Sequence, residues 1–365
     1  MKIVTVIGAR PQFVKAALIS NELNKRGITE IIIHTGQHYD ANMSDIFFNQ
    51  LNIPKPAYNL GIKANSHGEM TGRMLIEIEK VLQNEVPDLL LVYGDTNSTL
   101  AAALAARKLN IKIAHVEAGL RNFDMTIPED VNRILTDRVS DILFCPTQEA
   151  INNLIAEGFE KFPAKLVKTD DLLADMVYYY DEKLDEFSAE TSAVAKLFSS
   201  TQKPILCTIH RAESTTEIRI VEIIQAINTI AQQYEIIFPI HPRTKNVIEK
   251  LQLNLHSNIK LLNPLSYVEM IYALKHCKYV ITDSGGLQKE AYLMKKHCLI
   301  LMNYTPWVEL INHNVSVTTQ LTTYDILNNF KKMEALTTPF NQSLYGDGNA
   351  RFQIVDYLQN YFNHA

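Results

Sequence analysis

Residues 88–116 read DLLLVYGDTNSTLAAALAARKLNIKIAHV, from Asp88 to Val116. A strand over 88–93, apolar from Leu89 on, ends at Gly94-Asp95-Thr96-Asn97, a helical pattern follows over 99–109, and a second, mostly apolar strand covers 111–116. Neither run alternates polar with apolar, so both faces of each strand are covered, as in a parallel sheet. The same grammar extends outward: strands over 3–7, 30–34 and 142–145, and helices over 12–25, 69–83 and 129–139. It weakens between 162 and 200, where Lys165, Lys168, Asp170, Asp171, Glu182 and Glu186 make the segment polar, and a crossover helix with an interdomain connection is expected there. It then restarts, with strands over 205–209, 235–240, 259–262, 279–282 and 299–302 and helices over 218–233, 267–275 and 287–294. Two successive alternations predict an α/β protein of two doubly wound, Rossmann-like domains, 1–170 and 171–350, with a helix in 351–365 returning to brace the first. Ligands bind at the carboxyl ends of such strands, so the site is expected in an interdomain cleft.

Composition narrows the classes. In 365 residues, 47% are hydrophobic and 21% charged, which excludes a disordered chain. A formal charge of −5 with no basic block speaks against nucleic acid as a partner. Cys145, Cys207, Cys277 and Cys298 form no CxxC pair and read as buried free thiols. No His/Asp/Glu cluster has metal-ligand spacing, and no run reaches the ~18 apolar residues of a membrane span. The N-terminal run meets Arg10 and Pro11 too early for a signal peptide, so a soluble, cytoplasmic protein without membrane partners is expected.

Chemistry-bearing residues fall on the turns after the strands. Gly8-Ala9-Arg10-Pro11-Gln12 opens a helix whose N-terminus, with Arg10 and Lys15, suits an anion or is a solvated helix start; the absent GxGxxG disfavours a nicotinamide domain. Asp95 follows one strand, as a site residue or as the N-cap of the next helix. Glu117, in His115-Val116-Glu117-Ala118-Gly119-Leu120-Arg121, follows another, as a site residue or as a salt-bridge partner of Arg121 or Arg133. Glu129 stands in a first helical turn, where acids favour the dipole. Together the three make an acid/base set. In the second half, His210-Arg211, His241-Pro242-Arg243 and Asp283-Ser284-Gly285-Gly286 follow three strands. Ser-Gly-Gly at a helix start offers N–H groups to a diphosphate, and Glu290, one turn on, is placed for a ribose diol.

These motifs, in this order and with His34-Thr35-Gly36-Gln37-His38-Tyr39-Asp40 and Pro128-Glu129, resemble the non-hydrolysing UDP-N-acetylglucosamine 2-epimerase family from Lys2 to about Leu310. Ile127-Pro128-Glu129 and Asp137-Arg138-Val139-Ser140-Asp141 look most like the branch acting on UDP-2,3-diacetamido-glucuronate. The resemblance implies a glycosyltransferase-B-like fold, a homodimer, no cofactor and a role in supplying surface polysaccharide precursors. It implies inversion at C2 of a UDP-2-acetamido sugar: a base removes the C2 proton while UDP leaves C1, then UDP and a proton add back on the other face. By motif, Asp95, Glu117 and Glu129 take the carboxylate roles and His210 the leaving-group role. Arg10, Lys15, Arg211, His241, Arg243, Ser284, Gly285, Gly286 and Glu290 would hold substrate and UDP.

Four stretches depart from the family pattern. Asp170-Asp171 replaces a Gly-Asp pair, Leu301-Met302-Asn303-Tyr304-Thr305-Pro306 replaces Leu-Arg-x-x-Thr-Glu, Val317-Thr318-Thr319 replaces Leu-Val-Gly, and Asp130 replaces a glutamate after Pro128-Glu129. A second carboxylate at 170 would repel a nearby diphosphate. A glycosyltransferase on the same fold, a UDP-sugar-binding paralogue without turnover, and a hydrolysing variant are the alternatives at this level.

Overall fold

The computed structural model describes residues 1–37, 54–198 and 202–363. It divides into two compact units, Met1–Met176 with Tyr345–Ala365, and Val177–Leu344.

The first unit is a parallel seven-stranded sheet of order β3-β2-β1-β4-β5-β6-β7. The strands are β1 (Lys2–Ile7), β2 (Thr29–His34), β3 (Tyr58–Asn59), β4 (Leu89–Tyr93), β5 (Lys112–Val116), β6 (Ile142–Cys145) and β7 (Lys165–Lys168). Its helices are α1 (Arg10–Lys25), α2 (His67–Glu85), α3 (Asn97–Lys108), α4 (Pro128–Val139) and α5 (Gln148–Ala156). Every residue of β4 and β6 is buried, which is why neither alternates. Strand β7, KLVK, escapes the sequence reading because its two apolar residues lie between lysines in the polar segment. α6 (Leu172–Glu182) follows it, and α7 (Ser188–Leu197) lies in the second unit.

The second unit repeats the plan with six parallel strands in order β10-β9-β8-β11-β12-β13. They are β8 (Ile205–Thr208), β9 (Ile236–Pro239), β10 (Ile259–Leu262), β11 (Val280–Thr282), β12 (Cys298–Ile300) and β13 (Ser316–Thr318). The remaining helices are α8 (Glu217–Ile230), α9 (Pro242–Lys250), α10 (Tyr267–His276), α11 (Gly285–Leu293), α12 (Val308–Asn312), α13 (Thr323–Glu334) and α14 (Ala350–Asn363). α8 buries Ile220, Ile223, Ile224, Ile227 and Ile230, a stripe at helical spacing against β8 and β9.

The last of these helices, α14, belongs to the first unit. Asp175 accepts from the backbone N–H groups of Ala350 (2.9 Å) and Arg351 (3.0 Å), filling two donors that a helix start leaves open. On the outer face Arg26 of α1 pairs with Asp356 and donates to Gln359 at 2.8 Å.

All four cysteines are free and buried, and burial pushes their thiols up. No helix among the described residues is long and apolar enough to cross a membrane.

Both sheets reverse their strand order once, between β1 and β4 and between β8 and β11. Crevices open at the carboxyl ends of such neighbours. Close approach is built in at the edge of the first: a Cβ on Gly119, where φ is +78°, would stand 2.3 Å from the backbone oxygen of Ala150. Gly119→Ala should therefore lose about 2–4 kcal/mol in urea unfolding, from left-handed strain plus a backbone clash. A loss below about 1 kcal/mol would show that the turn relaxes freely.

Candidate active site

In the first unit, the turns after β1 and β4 are stitched by a residue that the sequence reading passed over. The Gln12 carboxamide oxygen accepts from the N–H groups of Gly8 (2.8 Å) and Ala9 (3.0 Å), and its NH2 donates to the carbonyl of Tyr93 at 2.8 Å. Gly8 has no room for a side chain: a Cβ would meet the hydroxyls of Thr35 at 2.1 Å and Ser98 at 2.2 Å. Only the contacts tell this, because a glutamine in a first helical turn is unremarkable in sequence.

Asp95 is not the N-cap of α3. Thr96 is, accepting from the N–H of Thr99 at 3.3 Å, so the Asp95 carboxylate is left for other work. It pairs with Arg133 of α4, and Asn132 donates to the Asp95 carbonyl at 2.9 Å. Burial raises the Asp95 pKa and outweighs Arg133; the charges of Glu117 and Glu129 push the same way. Glu129 itself is exposed, in the first turn of α4. Beside it Asp130 is buried and structural, accepting from the N–H groups of Asn122 (2.9 Å) and Asp124 (3.2 Å).

The partner of Glu117 is neither Arg121 nor Arg133 but Lys15, which reaches across from α1. Arg121 is taken by Asp137 and Glu157, and Arg133 by Asp95 and Asp130. Burial alone would lower Lys15, but the charges of Glu117, Asp171 and Asp95 outweigh it and its pKa is raised, so the ammonium persists. Glu117 sits at φ +70°, a conformation that costs a non-glycine residue about 1–3 kcal/mol and clusters at functional sites. The N–H groups of Glu117 and Ala118 both donate to the carbonyl of Phe144, at 3.1 and 3.0 Å, and hold the kink. A small pocket lined by Lys15, Glu117, Phe144, Pro146, Thr169 and Asp171 adjoins this pair.

Asp170 and Asp171 also lie within this unit. Asp170 accepts from the Gln353 carboxamide at 3.1 Å and lies against Gly346, where a Cβ would be 2.1 Å from its Cγ. Asp171 is buried, and its carboxylate accepts from the N–H of Leu173 at 2.9 Å. The Arg10 side chain and His38-Tyr39-Asp40 lie outside the described residues.

In the second unit the organising residue is Asp283, fully buried at the end of β11. It accepts from the backbone N–H groups of His210 (3.0 Å) and Arg211 (2.9 Å), and the His210 Nδ1 stands 3.3 Å from it. The ring's far nitrogen is then directed away from Asp283, on a side chain 41% exposed. Arg243 donates to the His210 carbonyl at 3.0 Å, and His241 accepts from the N–H of Arg243 at 3.1 Å. The His241 ring lies 6.0 Å from that of His210; burial first, then the charges of His210 and Arg243, lowers its pKa.

Ser284 caps α11 and leaves Gly285 and Gly286 as its first residues, with nothing near the exposed face of Gly286. Glu290 lies nearly buried farther along the same helix. The loop after β12 is held by neutral hydrogen bonds. Thr305 donates to Gln288 at 2.6 Å, and the Trp307 indole donates to the Gly285 carbonyl at 2.9 Å. Lys289 lies over the Trp307 ring at 3.8 Å, Met302 is buried, and the Thr319 N–H reaches the carbonyl of Met302 at 3.0 Å.

Thus Lys15, Asp95, Glu117 and Glu129 gather at the switch point of the first sheet. His210, Arg211, His241, Arg243, Ser284, Gly285 and Gly286 gather at that of the second. No group of three or more His, Cys, Asp or Glu side chains able to hold a metal ion occurs among the described residues.

Residues 21–359 match the family described as UDP-N-acetylglucosamine 2-epimerase. The chain is 47% identical over 361 residues to UDP-2,3-diacetamido-2,3-dideoxy-D-glucuronate 2-epimerase of Pseudomonas aeruginosa, covering 98% of this chain and 99% of that protein. The crystal structure of Methanocaldococcus jannaschii UDP-GlcNAc 2-epimerase in complex with UDP-GlcNAc and UDP matches with TM-score 0.85 and 39% identity, over 99% of this chain and 100% of that one. The Neisseria meningitidis enzyme bound to UDP-GlcNAc matches with TM-score 0.89 and 30% identity, over 99% and 100%.

Proposed function

The chain belongs to the UDP-N-acetylglucosamine 2-epimerase family, and from that premise we propose that it inverts C2 of a UDP-2-acetamido sugar by elimination and re-addition of UDP, supplying a surface polysaccharide precursor. UDP-2,3-diacetamido-glucuronate is the first substrate to try, because the Pseudomonas relative named for it is 47% identical. The reading rests above all on the grouping of Asp95, Glu117, Glu129 and Lys15 at the first switch point. A glycosyltransferase, which acts at C1, gives these carboxylates no task.

Elimination needs a group that takes the C2 proton, one that gives a proton back, and positive charge for the departing diphosphate. Asp95 is the proton carrier of this proposal: its raised pKa brings it nearer the working pH, where such carriers are most effective. Glu117, braced by Lys15, and Glu129 serve the opposite face and the sugar hydroxyls. His210 protonates the leaving UDP, while Arg211, Arg243 and the N-terminus of α11 hold its phosphates. Glu290 takes the ribose, and His241 and Arg10 complete the substrate contacts.

The test is at C2. Incubated in D2O with either UDP-N-acetylglucosamine or the diacetamido-uronate, the protein should place deuterium on C2 of product and recovered substrate. A transferase leaves C2–H intact, and a hydrolysing variant labels C2 but releases free sugar. Turnover with the C2 proton retained, or no reaction with either sugar, would overturn the proposal.

A further inference from the structure

His115 and Asp137 are fully buried, and neither has been used by the chemistry so far. His115 lies on β5, where Ile113, Ala114 and Val116 are buried apolar neighbours. Its Nδ1 is 2.7 Å from the Asp137 carboxylate and its Nε2 is 2.7 Å from the carbonyl oxygen of Gly94. The Gly94 carbonyl only accepts, so Nε2 carries the hydrogen of that bond, and Nδ1 faces the Asp137 carboxylate.

The two bonds lead to different turns. Gly94 immediately precedes Asp95, so the Nε2 bond fixes the peptide that carries the proposed proton carrier. The other oxygen of Asp137 accepts from the N–H of Gly119 at 3.2 Å, two residues beyond Glu117, and pairs with Arg121 at 2.8 Å. Arg121 in turn forks onto Glu157, at 2.6 and 3.0 Å. Burial alone would raise Asp137, but the His115 bond and the His115 and Arg121 charges hold its pKa down, so the carboxylate stays an acceptor.

Glu117 needs such restraint. Its φ of +70° persists only where the surroundings over-determine it. A buried ionic cluster is also a poor device for stability alone, since apolar replacement is often neutral or better. What an apolar residue at 115 could not do is bind two backbone turns at fixed distance.

We propose that His115 and Asp137 are the positioning pair of this site, locking the Asp95 and Glu117 turns to one another so that both carboxylates meet the sugar in one geometry. This rests on the reading of Asp95 and Glu117 as reacting groups. Gln at 115 can donate to one partner only and turns its carbonyl oxygen on the other. His115→Gln should lower kcat 10- to 100-fold, on the order expected for misplacement of about 1 Å, with KM within about twofold of wild type.

A double-mutant cycle separates positioning from mere stability. In an Asp95→Asn background, His115→Gln should cost less than about threefold more in kcat, because the turn it holds no longer carries a proton. Losses that multiply in full, or a His115→Gln enzyme with wild-type kcat, would overturn the proposal. Should His115→Gln fail to fold, Asp137→Asn takes its place in the same cycle. Asn keeps an acceptor for the ring but turns NH2 towards the Gly119 N–H. Wild-type exchange at C2, run alongside, keeps the outcomes apart: its absence refutes the epimerase reading, whereas normal exchange with an indifferent His115→Gln refutes only the positioning role.

Discussion

Asp95→Asn will lose about three orders of magnitude in kcat, within the range general acid–base groups supply, while its Tm at pH 7.5 stays level or rises. The two halves of this result come from one observation. Burial raises the Asp95 pKa in the folded chain. A carboxyl whose folded pKa lies above its unfolded value binds its proton more tightly when folded. Its contribution to stability is complete below the unfolded pKa and is lost as the pH rises through the folded one. Above the unfolded pKa the carboxyl therefore stabilises the fold less than its neutral form does, and the neutral amide removes that deficit. Arg133 keeps its contact with Asp130, 3.3 Å away, when Asp95 is neutralised. If Asp95 were there for structure, the same substitution would lower Tm and leave the rate per folded molecule unchanged. Stopped assays of inversion, set beside thermal melts, decide between the two. A kcat within tenfold of wild type would remove Asp95 from the mechanism.

The parallel sheets were legible because buried strands such as β4 and β6 are pure apolar runs, and because the glycine turns after them break the pattern cleanly. β7 was not, since an edge strand of four residues with two lysines carries no such signal. The site was legible as positions and poorly legible as partnerships. Asp95, Glu117 and Lys15 stand out as polar residues where a sheet ends. That Lys15, 102 residues away in sequence, is the cation beside Glu117 depends on β1 and β5 lying either side of β4. Gln12, Asp137 and Asp283 were missed as site residues for the same reason. Each acts by accepting from or donating to backbone groups on another turn, and such bonds leave no periodicity. Asp170 was legible as a charge, and its partner Gln353, 183 residues away in sequence, was not.

His210→Gln should lower inversion and C2 deuterium exchange by one and the same factor, about a hundredfold to a thousandfold, with UDP affinity within roughly threefold of wild type. Glutamine keeps an N–H for a phosphate oxygen but has no proton to transfer. The C2–H bond cannot break productively unless UDP departs, so a fault at the leaving group must stall both readouts together. Binding should survive, because Arg211, Arg243 and the N-terminus of α11 remain as phosphate ligands. Asp283→Asn provides the control. Its carboxylate meets two backbone N–H groups and the ring Nδ1, so an amide at this place sets one NH2 against donors and frees the ring to turn. It should cost about tenfold in kcat in the wild type and clearly less beside His210→Gln, because the part of its effect carried by the ring is then already lost. Isothermal calorimetry with UDP, and NMR of the C2 proton in D2O, measure both arms. Continued exchange at the wild-type rate in His210→Gln would place His210 after the elimination step, and a loss of UDP affinity equal to the loss of rate would make it a binding residue only.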